Sequence, residues 1–305
     1  MTLSEEQKKD IQNQRNNANQ TRRSISKGME DNLYRINEIL DHGFIRVIDY
    51  MGNDASIVQA ARVSYGEGTK KSRDDKSLIF YLMRHWHSTP FEMCEVKFHV
   101  KLPVFVARQW IRHRTANVNE YSARYSILDK EFYIPKFENL ASQSSSNNQG
   151  RGEKLDEEEA SRVIEILKND SLKNYENYEE MLSQDNKKGL ARELARMNLP
   201  TNIYTQWYWK TDLHNLFNFI RLRNDKQAQY EIRVYAEAIA KIVKSWVPFA
   251  YEAFEQYQLN GSQLSANGLS CLKRIIGGED VCQKTSGMGK RESSEFCQIL
   301  DKKNE

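Results

Sequence analysis

Cys94-Glu95-Val96-Lys97-Phe98-His99-Val100-Lys101-Leu102-Pro103-Val104-Phe105-Val106-Ala107-Arg108-Gln109-Trp110-Ile111-Arg112-His113 holds a strand and a helix joined by one proline. From Cys94 to Leu102 apolar and charged residues alternate at period two, which predicts a strand with one buried and one wet face. Pro103 stops that strand. Proline suits the first turn of a helix, so Pro103 also opens a helix over Val104–His113, on which Arg108, Gln109 and Arg112 cluster by i,i+3 and i,i+4 spacing.

Continuing outward, Arg108 to Ser126 carries four arginines and His113 around a single acid, Glu120, interleaved with Trp110, Tyr121 and Tyr125. Such a run repels itself unless anions sit among the guanidinium groups, and phosphates are the expected anions. An isolated Arg-His-Arg reads most simply as a solvated helix terminus whose cations complement the dipole. Here Arg124, the Ser122 hydroxyl and the amides of Asn117 and Asn119 follow in what reads as a loop, and together they supply what phosphate oxygens require. Glu120 can neutralise an arginine or accept from a ribose or base. No Gly-x-Ser-x-Gly elbow surrounds Ser122, so it reads as a phosphate ligand rather than a nucleophile.

Upstream, Phe44–Tyr50 alternates as a strand, Gly52-Asn53-Asp54 turns, and Asp54 caps a helix over Ala55–Val63. A second helix fits Asp75–Trp86. His87-Ser88-Thr89-Pro90-Phe91-Glu92 then falls in a loop suited to holding a ligand, although a lone His is more often structural. His85 and His87 lie two apart and cannot share a helical face, so no metal centre is expected. Residues 1 to about 30 are polar and almost unpatterned, which reads as a flexible tail or a partly helical arm, and order is expected from near Ile36.

Downstream, Ser142–Lys154 reads as a surface insertion. Helices fit 156–183 and 187–198, a strand fits Ile203–Trp209, and helices fit Leu213–Leu222 and Gln227–Val247. His214 and Asn218 are four apart on the first of these and face one way. Arg196 and Arg223 alone read as surface arginines. The weakly patterned end after Leu259 is expected to begin ordered and finish loose. These readings divide the chain into a polar extension (1–35), one domain (36–259) and a C-terminal extension (260–305).

At 305 residues the chain can bury a sizeable core, and a net charge of only +3 is too small for bulk-charge binding of nucleic acid. No apolar run approaches a membrane span and the N-terminus lacks the apolar core of a signal peptide, which predicts a cytoplasmic protein without membrane association. Four cysteines are sparse for this length. Cys271, Cys282 and Cys297 match no zinc or compact disulfide spacing, so they read as reduced bystanders.

Arg112-His113-Arg114, seven intervening residues and Ser122 resemble the signature of the flavin-dependent thymidylate synthases. The likeness extends to His87–Glu92, Phe132-Tyr133-Ile134-Pro135, Leu199-Pro200, Arg221-Leu222-Arg223 and Ala228-Gln229-Tyr230-Glu231, covering about residues 36–255. It implies an α/β (α+β) fold with a central mixed sheet flanked by helices, and a homotetramer whose sites draw residues from several subunits. It implies conversion of dUMP to dTMP with 5,10-methylenetetrahydrofolate as carbon donor, reduced FAD as hydride donor and NADPH as reductant, without a metal or a cysteine nucleophile.

Carried over, the resemblance makes Gln109, Arg112, Glu120, Tyr121, Ser122, Ala123, Arg124, Arg196 and Arg223 binders of dUMP. Thr89, Arg112, His113, Arg114, Glu120, Asp212, His214 and Asn218 become FAD contacts. Arg223 resembles the arginine that polarises the uracil, and His87 a histidine close to the flavin ring. Asp212 stands where asparagine is often found, His214 where some members have arginine, and Gln227 where some have histidine. The reading from another class is a single-stranded nucleic-acid-binding module with arginines on the backbone and Trp110, Tyr121 and Tyr125 as stacking platforms. A homologue that binds flavin without turnover is a further alternative.

Overall fold

A computed structural model describes residues 5–16, 21–63, 74–145, 150–182, 188–281 and 283–301. The chain divides into two compact units, Met1–Glu252 and Ala253–Glu305. Cys282 lies outside the described residues. Among those described, Cys94, Cys271 and Cys297 are free thiols, and no helix is long and apolar enough to cross a membrane.

The larger unit is built on strands β1 (Asn37–Ile39), β2 (Gly43–Met51), β3 (Glu95–Pro103), β4 (Asn117–Glu120), β5 (Ala141–Gln143), β6 (Arg151–Lys154) and β7 (Tyr204–Asp212). Five of them form one sheet in the order β1-β2-β3-β7-β4, and β5-β6 is a separate hairpin. Every pairing in the five-stranded sheet is antiparallel, so the α/β fold stands while the mixed sheet that the resemblance implies is corrected to an antiparallel one. The helices are α1 (Glu5–Asn16), α2 (Lys27–Glu30), α3 (Asp54–Arg62), α4 (Asp75–Arg84), α5 (Thr89–Glu92), α6 (Val104–Trp110), α7 (Glu157–Leu182), α8 (Arg192–Ala195), α9 (Leu213–Arg223) and α10 (Tyr230–Trp246), with α11 at Pro248–Phe254.

Alternation on β3 buries Val96, Phe98, Val100 and Leu102 on the face that also takes Trp207 and Trp209 of β7. Trp110 of α6 stacks on Phe219 of α9 at 4.6 Å and meets Trp209 edge-on at 5.3 Å. This cluster of rings, each burying a large apolar surface, fixes the end of α6 over β7. Pro103 is the last residue of β3 and the N-cap of α6, as its missing N–H and fixed φ suit that junction. The helix stops at Trp110 rather than His113, which leaves Arg112, His113 and Arg114 beyond its C-terminus.

Three local readings are corrected. Asn53, not Asp54, caps α3: its side chain accepts from the Ser56 N–H at 3.1 Å while the Ser56 hydroxyl accepts from the Asn53 N–H at 3.2 Å. Asp54 instead accepts from Phe249 N and Ala250 N of α11 at 3.0 and 2.9 Å. Packing begins before Ile36, since Met29 is fully buried, the Ser26 hydroxyl donates to the Trp246 carbonyl, and a Cβ on Gly28 would lie 2.7 Å from the Ser245 carbonyl carbon. That segment is too short to show a period. The helix expected over 187–198 is only α8 and a 3₁₀ turn, Arg196–Asn198, with 183–187 outside the described residues.

The smaller unit carries α12 (Ala266–Ile276), α13 (Gln283–Ser286) and α14 (Lys290–Asp301). Cys271, Met288 and Phe296 form a buried hydrophobic cluster in it, and Ser265 caps α12 by accepting from Gly268 N at 3.1 Å. Spaced apolar positions on α12 and α14 thus make helices of a stretch whose sequence patterning is weak.

Candidate active site

The arginine-rich motif is not one loop. Asn117–Glu120 is drawn out as the edge strand β4, paired with β7 from Asn117↔Lys210 to Glu120↔Trp207. The basic run is therefore parted into two ends. All four residues of β4 are exposed, and their conformation comes from the β7 ladder rather than from apolar alternation.

At one end a cavity of about 350 Å³ is lined by Arg112, His113, Arg114, Asn218 and Arg223, with Trp209 and Thr211 as its floor. Thr211 Oγ1 donates to the Thr115 carbonyl at 3.0 Å, tying the motif to the strand. Arg223 Nε lies 3.0 Å from His113 Nε2. Because guanidinium only donates, His113 Nε2 is the acceptor and the ring is neutral, with its proton on Nδ1. Burial first and the Arg223 charge second push the His113 pKa down to about 4, and burial lowers that of Arg223. His113 also packs edge-on against Phe219 at 5.0 Å. Arg223 is thus aimed by a neutral ring that the core holds.

At the other end a cavity of about 420 Å³ is lined by Glu120, Tyr121, Ser122, Ala123 and Arg196, over Thr205. Glu120 Oε1 accepts from Thr205 Oγ1 at 2.9 Å. Arg124 Nε is 3.7 Å from Glu193 Oε2, and Arg196 Nε donates to the Glu193 carbonyl at 3.3 Å. Glu193 therefore gathers two guanidinium groups beside Ser122. No residue lines both cavities. Thr205 and Thr211 lie on one face of β7 six residues apart, about 20 Å at the rise of a strand.

Other predicted residues lie apart from both cavities. Asp212 caps α9, accepting from Asn215 N at 2.9 Å and Asn215 Nδ2 at 2.7 Å. His214, half-buried, is on the first turn of α9. His87 is exposed, 5.9 Å from the Tyr81 ring and 6.4 Å from His85, and Thr89 opens α5. Gln109 is bonded to Gln229. Sequence reasoning missed Trp209, Thr211 and Asn215 in the first cavity, although alternation on β7 places the first two on one face. Among the described residues no group of three His, Cys, Asp or Glu side chains could hold a metal.

The first cavity suits a pyrophosphate-bearing group. Three guanidinium side chains, the Asn218 amide and the unpartnered indole N–H of buried Trp209 line it without an anion. Cys94 is unsuited to nucleophilic work, since burial first, and Asp54 second, raise its thiol to about 12.

Residues 46–249 match the family model described as "Thymidylate synthase complementing protein". A flavin-dependent thymidylate synthase of Ruegeria pomeroyi is 66% identical over 300 residues, covering 98% of this chain and 99% of that one. One of Gluconobacter oxydans is 58% identical over 301 residues, covering 99% of each. Among solved structures, a UMP/dUMP methylase, PolB, from Streptomyces cacaoi bound with 5-Br dUMP superposes with a TM-score of 0.65 at 29% identity. It spans 73% of this chain and 99% of the methylase.

Proposed function

This chain belongs to the flavin-dependent thymidylate synthase family, and we propose that its two cationic half-sites act on one nucleotide after chains assemble. The enzyme is a dUMP methyltransferase that makes thymidylate with a flavin of the FAD type. The finer reading adds 5,10-methylenetetrahydrofolate as carbon donor, NADPH as the reductant, a homotetramer, and operation in the cytoplasm without nucleic acid, membrane or metal.

One observation carries the assembly. Arg112 and Arg223 stand at the Thr211 end of β7 and Ser122 and Arg196 at the Thr205 end, strand positions about 20 Å apart. A mononucleotide is too short to span that gap, so residues that the resemblance groups around one dUMP fit it only if a neighbouring chain brings its opposite end. The carboxylate of Glu193 stands near Arg124 in the single chain, as an anion stand-in.

Within such a site Ser122, Arg124 and Arg196 take the phosphate, and charge-assisted hydrogen bonds of this kind are worth about 1.5–3 kcal/mol each. Arg223, half-desolvated and oriented by His113, faces the uracil and stabilises negative charge that develops on its oxygen as carbon 5 becomes nucleophilic. Arg112, Arg114 and Asn218 would hold the flavin's pyrophosphate, Glu120 at the Thr205 end would meet both nucleotide and flavin once chains assemble, and His87 and Thr89 would be brought up from another chain. Bound reduced flavin supplies the hydride that turns the transferred methylene into a methyl group. The protein's part is orientation and electrostatics.

Mixing tests this. At dUMP well below saturation, Arg124→Ala and Arg223→Ala are each expected to make little dTMP, the first for want of affinity and the second for want of rate. Co-refolded, the pair should regain dTMP formation, because some mixed sites then carry neither defect. Light scattering should report a tetramer. A fully active monomer would remove the shared-site reading.

A further inference from the structure

We propose that Arg151, on the β5-β6 hairpin, is a positioning residue for Gln109, acting through Glu231 and Gln229. The proposal rests on the reading of Gln109 as a dUMP contact. Glu231 sits at the start of α10 and is 3% exposed. Arg151 Nη2 donates to both of its oxygens at 2.6 and 2.7 Å. The Tyr133 hydroxyl donates to Oε1 at 3.0 Å, and Gln229 Nε2 donates to Oε2 at 2.9 Å. Four hydrogen bonds from three donor groups thus meet a carboxylate that, paired with a guanidinium, can only accept.

Polarity then runs along the chain. Gln229 must give its NH₂ to Glu231, so its carbonyl oxygen points the other way, and that oxygen accepts from Gln109 Nε2. Gln109 is left offering its own Oε1, on the last turn of α6 three residues before Arg112. A glutamine amide at a helix end can ordinarily flip end for end, and here a charge two residues removed decides which end it shows. Arg151 is itself held, by donating to the Asn139 carbonyl at 3.0 Å and by lying 5.8 Å from the centroid of the Tyr230 ring. The hairpin, otherwise a surface insertion, thereby acquires a part in nucleotide binding without touching the nucleotide.

A double-mutant cycle on the full-length flavoprotein separates positioning from mere support. Wild type is titrated with dUMP first, since absence of binding there would break the functional reading and not the relay. Gln109→Ala is expected to weaken dUMP about tenfold and Arg151→Ala about fivefold, with the Arg151 loss falling on KM for dUMP more than on kcat and flavin content preserved. The double variant should bind no more weakly than Gln109→Ala alone. Arg151→Lys, which keeps charge but lacks the fork, should fall between wild type and Arg151→Ala, and it replaces Arg151→Ala in the cycle if that chain does not fold. Additive losses in the double variant, no effect of either Arg151 substitution, or unchanged dUMP affinity in Gln109→Ala would each overturn the relay.

Discussion

The two ends of β7 carry the same chemistry in opposite settings. At the Thr211 end Arg223 is partly desolvated, bonded to a neutral histidine and backed by Phe219, Trp110 and Trp209. At the Thr205 end Arg124 is more than half exposed and its nearest acid, Glu193, is also exposed. A guanidinium held before substrate arrives can stabilise charge that appears only in the transition state, because little reorganisation accompanies the reaction. One that waits in water is suited to capturing a phosphate, and its worth depends on what covers it. On the proposed shared site, the difference would give rate to one half-site and affinity to the other.

The largest expected effect follows. Arg223→Ala should lower the single-turnover rate of dTMP formation by about 10²–10³, or 3–4 kcal/mol, as loss of a preorganised donor does elsewhere. Anaerobic rapid mixing, following flavin oxidation and product together, measures it. A rate within twofold of wild type would erase the contrast between the ends.

Next comes the exposed end. Arg124→Ala should weaken dUMP binding by about 10- to 100-fold, matching 1.5–3 kcal/mol, and leave bound flavin unchanged. Ser122→Ala should do the same on a smaller scale, about 1 kcal/mol, with no covalent Ser122 adduct in intact-mass spectra. If either substitution cut the rate at saturating dUMP while sparing affinity, the assignment of roles would be inverted.

This division was only half legible in the sequence. The Cys94–Leu102 alternation, the Pro103 junction and the existence of α9 and α10 follow from periods and from proline's geometry, and the structure has them, although only Asn218 of the His214–Asn218 pair lines a cavity. The motif spacing also named Arg112 and Ser122, while Arg223, a surface arginine on its own residues, was named only by the resemblance. What the sequence concealed is β4, because Asn117-Val118-Asn119-Glu120 is exposed throughout and becomes a strand only by pairing with β7. Without β4 the arginines read as one cluster. The burial of Met29 and the Glu231 relay were hidden likewise, since each is decided by a partner far along the chain, whereas the Asn53 cap is local and set by Ser56.

Acid should then act on the preorganised end through stability. His113 and His99 both stand near 4; burial is the first cause for each, followed by Arg223 for His113 and by Arg46 for His99. The unfolded chain takes up those protons near 6.5. Between these values the unfolded state binds more protons, so stability rises with pH there and is lost as pH falls from about 6.5 towards 4. Each group loses at most about 1.4 kcal/mol per pH unit, less for the more exposed His113. Urea denaturation at pH 7.5, 5.5 and 4.5 measures the slope, and a His99→Asn, His113→Asn variant should flatten it. A slope unchanged by the double substitution would place the acid sensitivity elsewhere.

The smallest effect is expected at Cys94, which belongs to neither end. Its side chain is fully buried, and Sγ lies 3.6 Å from the Asn53 carbonyl. It packs beneath Gly52, whose φ of +85° suits glycine and where a Cβ would come 2.7 Å from that sulfur. A thiol raised to about 12 is ionised in roughly one molecule in 10⁵ at pH 7, too few to attack carbon 6 of a uracil. Cys94→Ser keeps a donor for the Asn53 carbonyl and loses some apolar volume, so it should cost about 1 kcal/mol of stability. Thymidylate formation per folded, flavin-loaded chain should stay within about twofold of wild type, since catalysis here is assigned to electrostatics at Arg223 rather than to a nucleophile. Complete loss of product in a folded Cys94→Ser protein that still binds dUMP would move the chemistry to the sulfur and end the case for an electrostatic half-site.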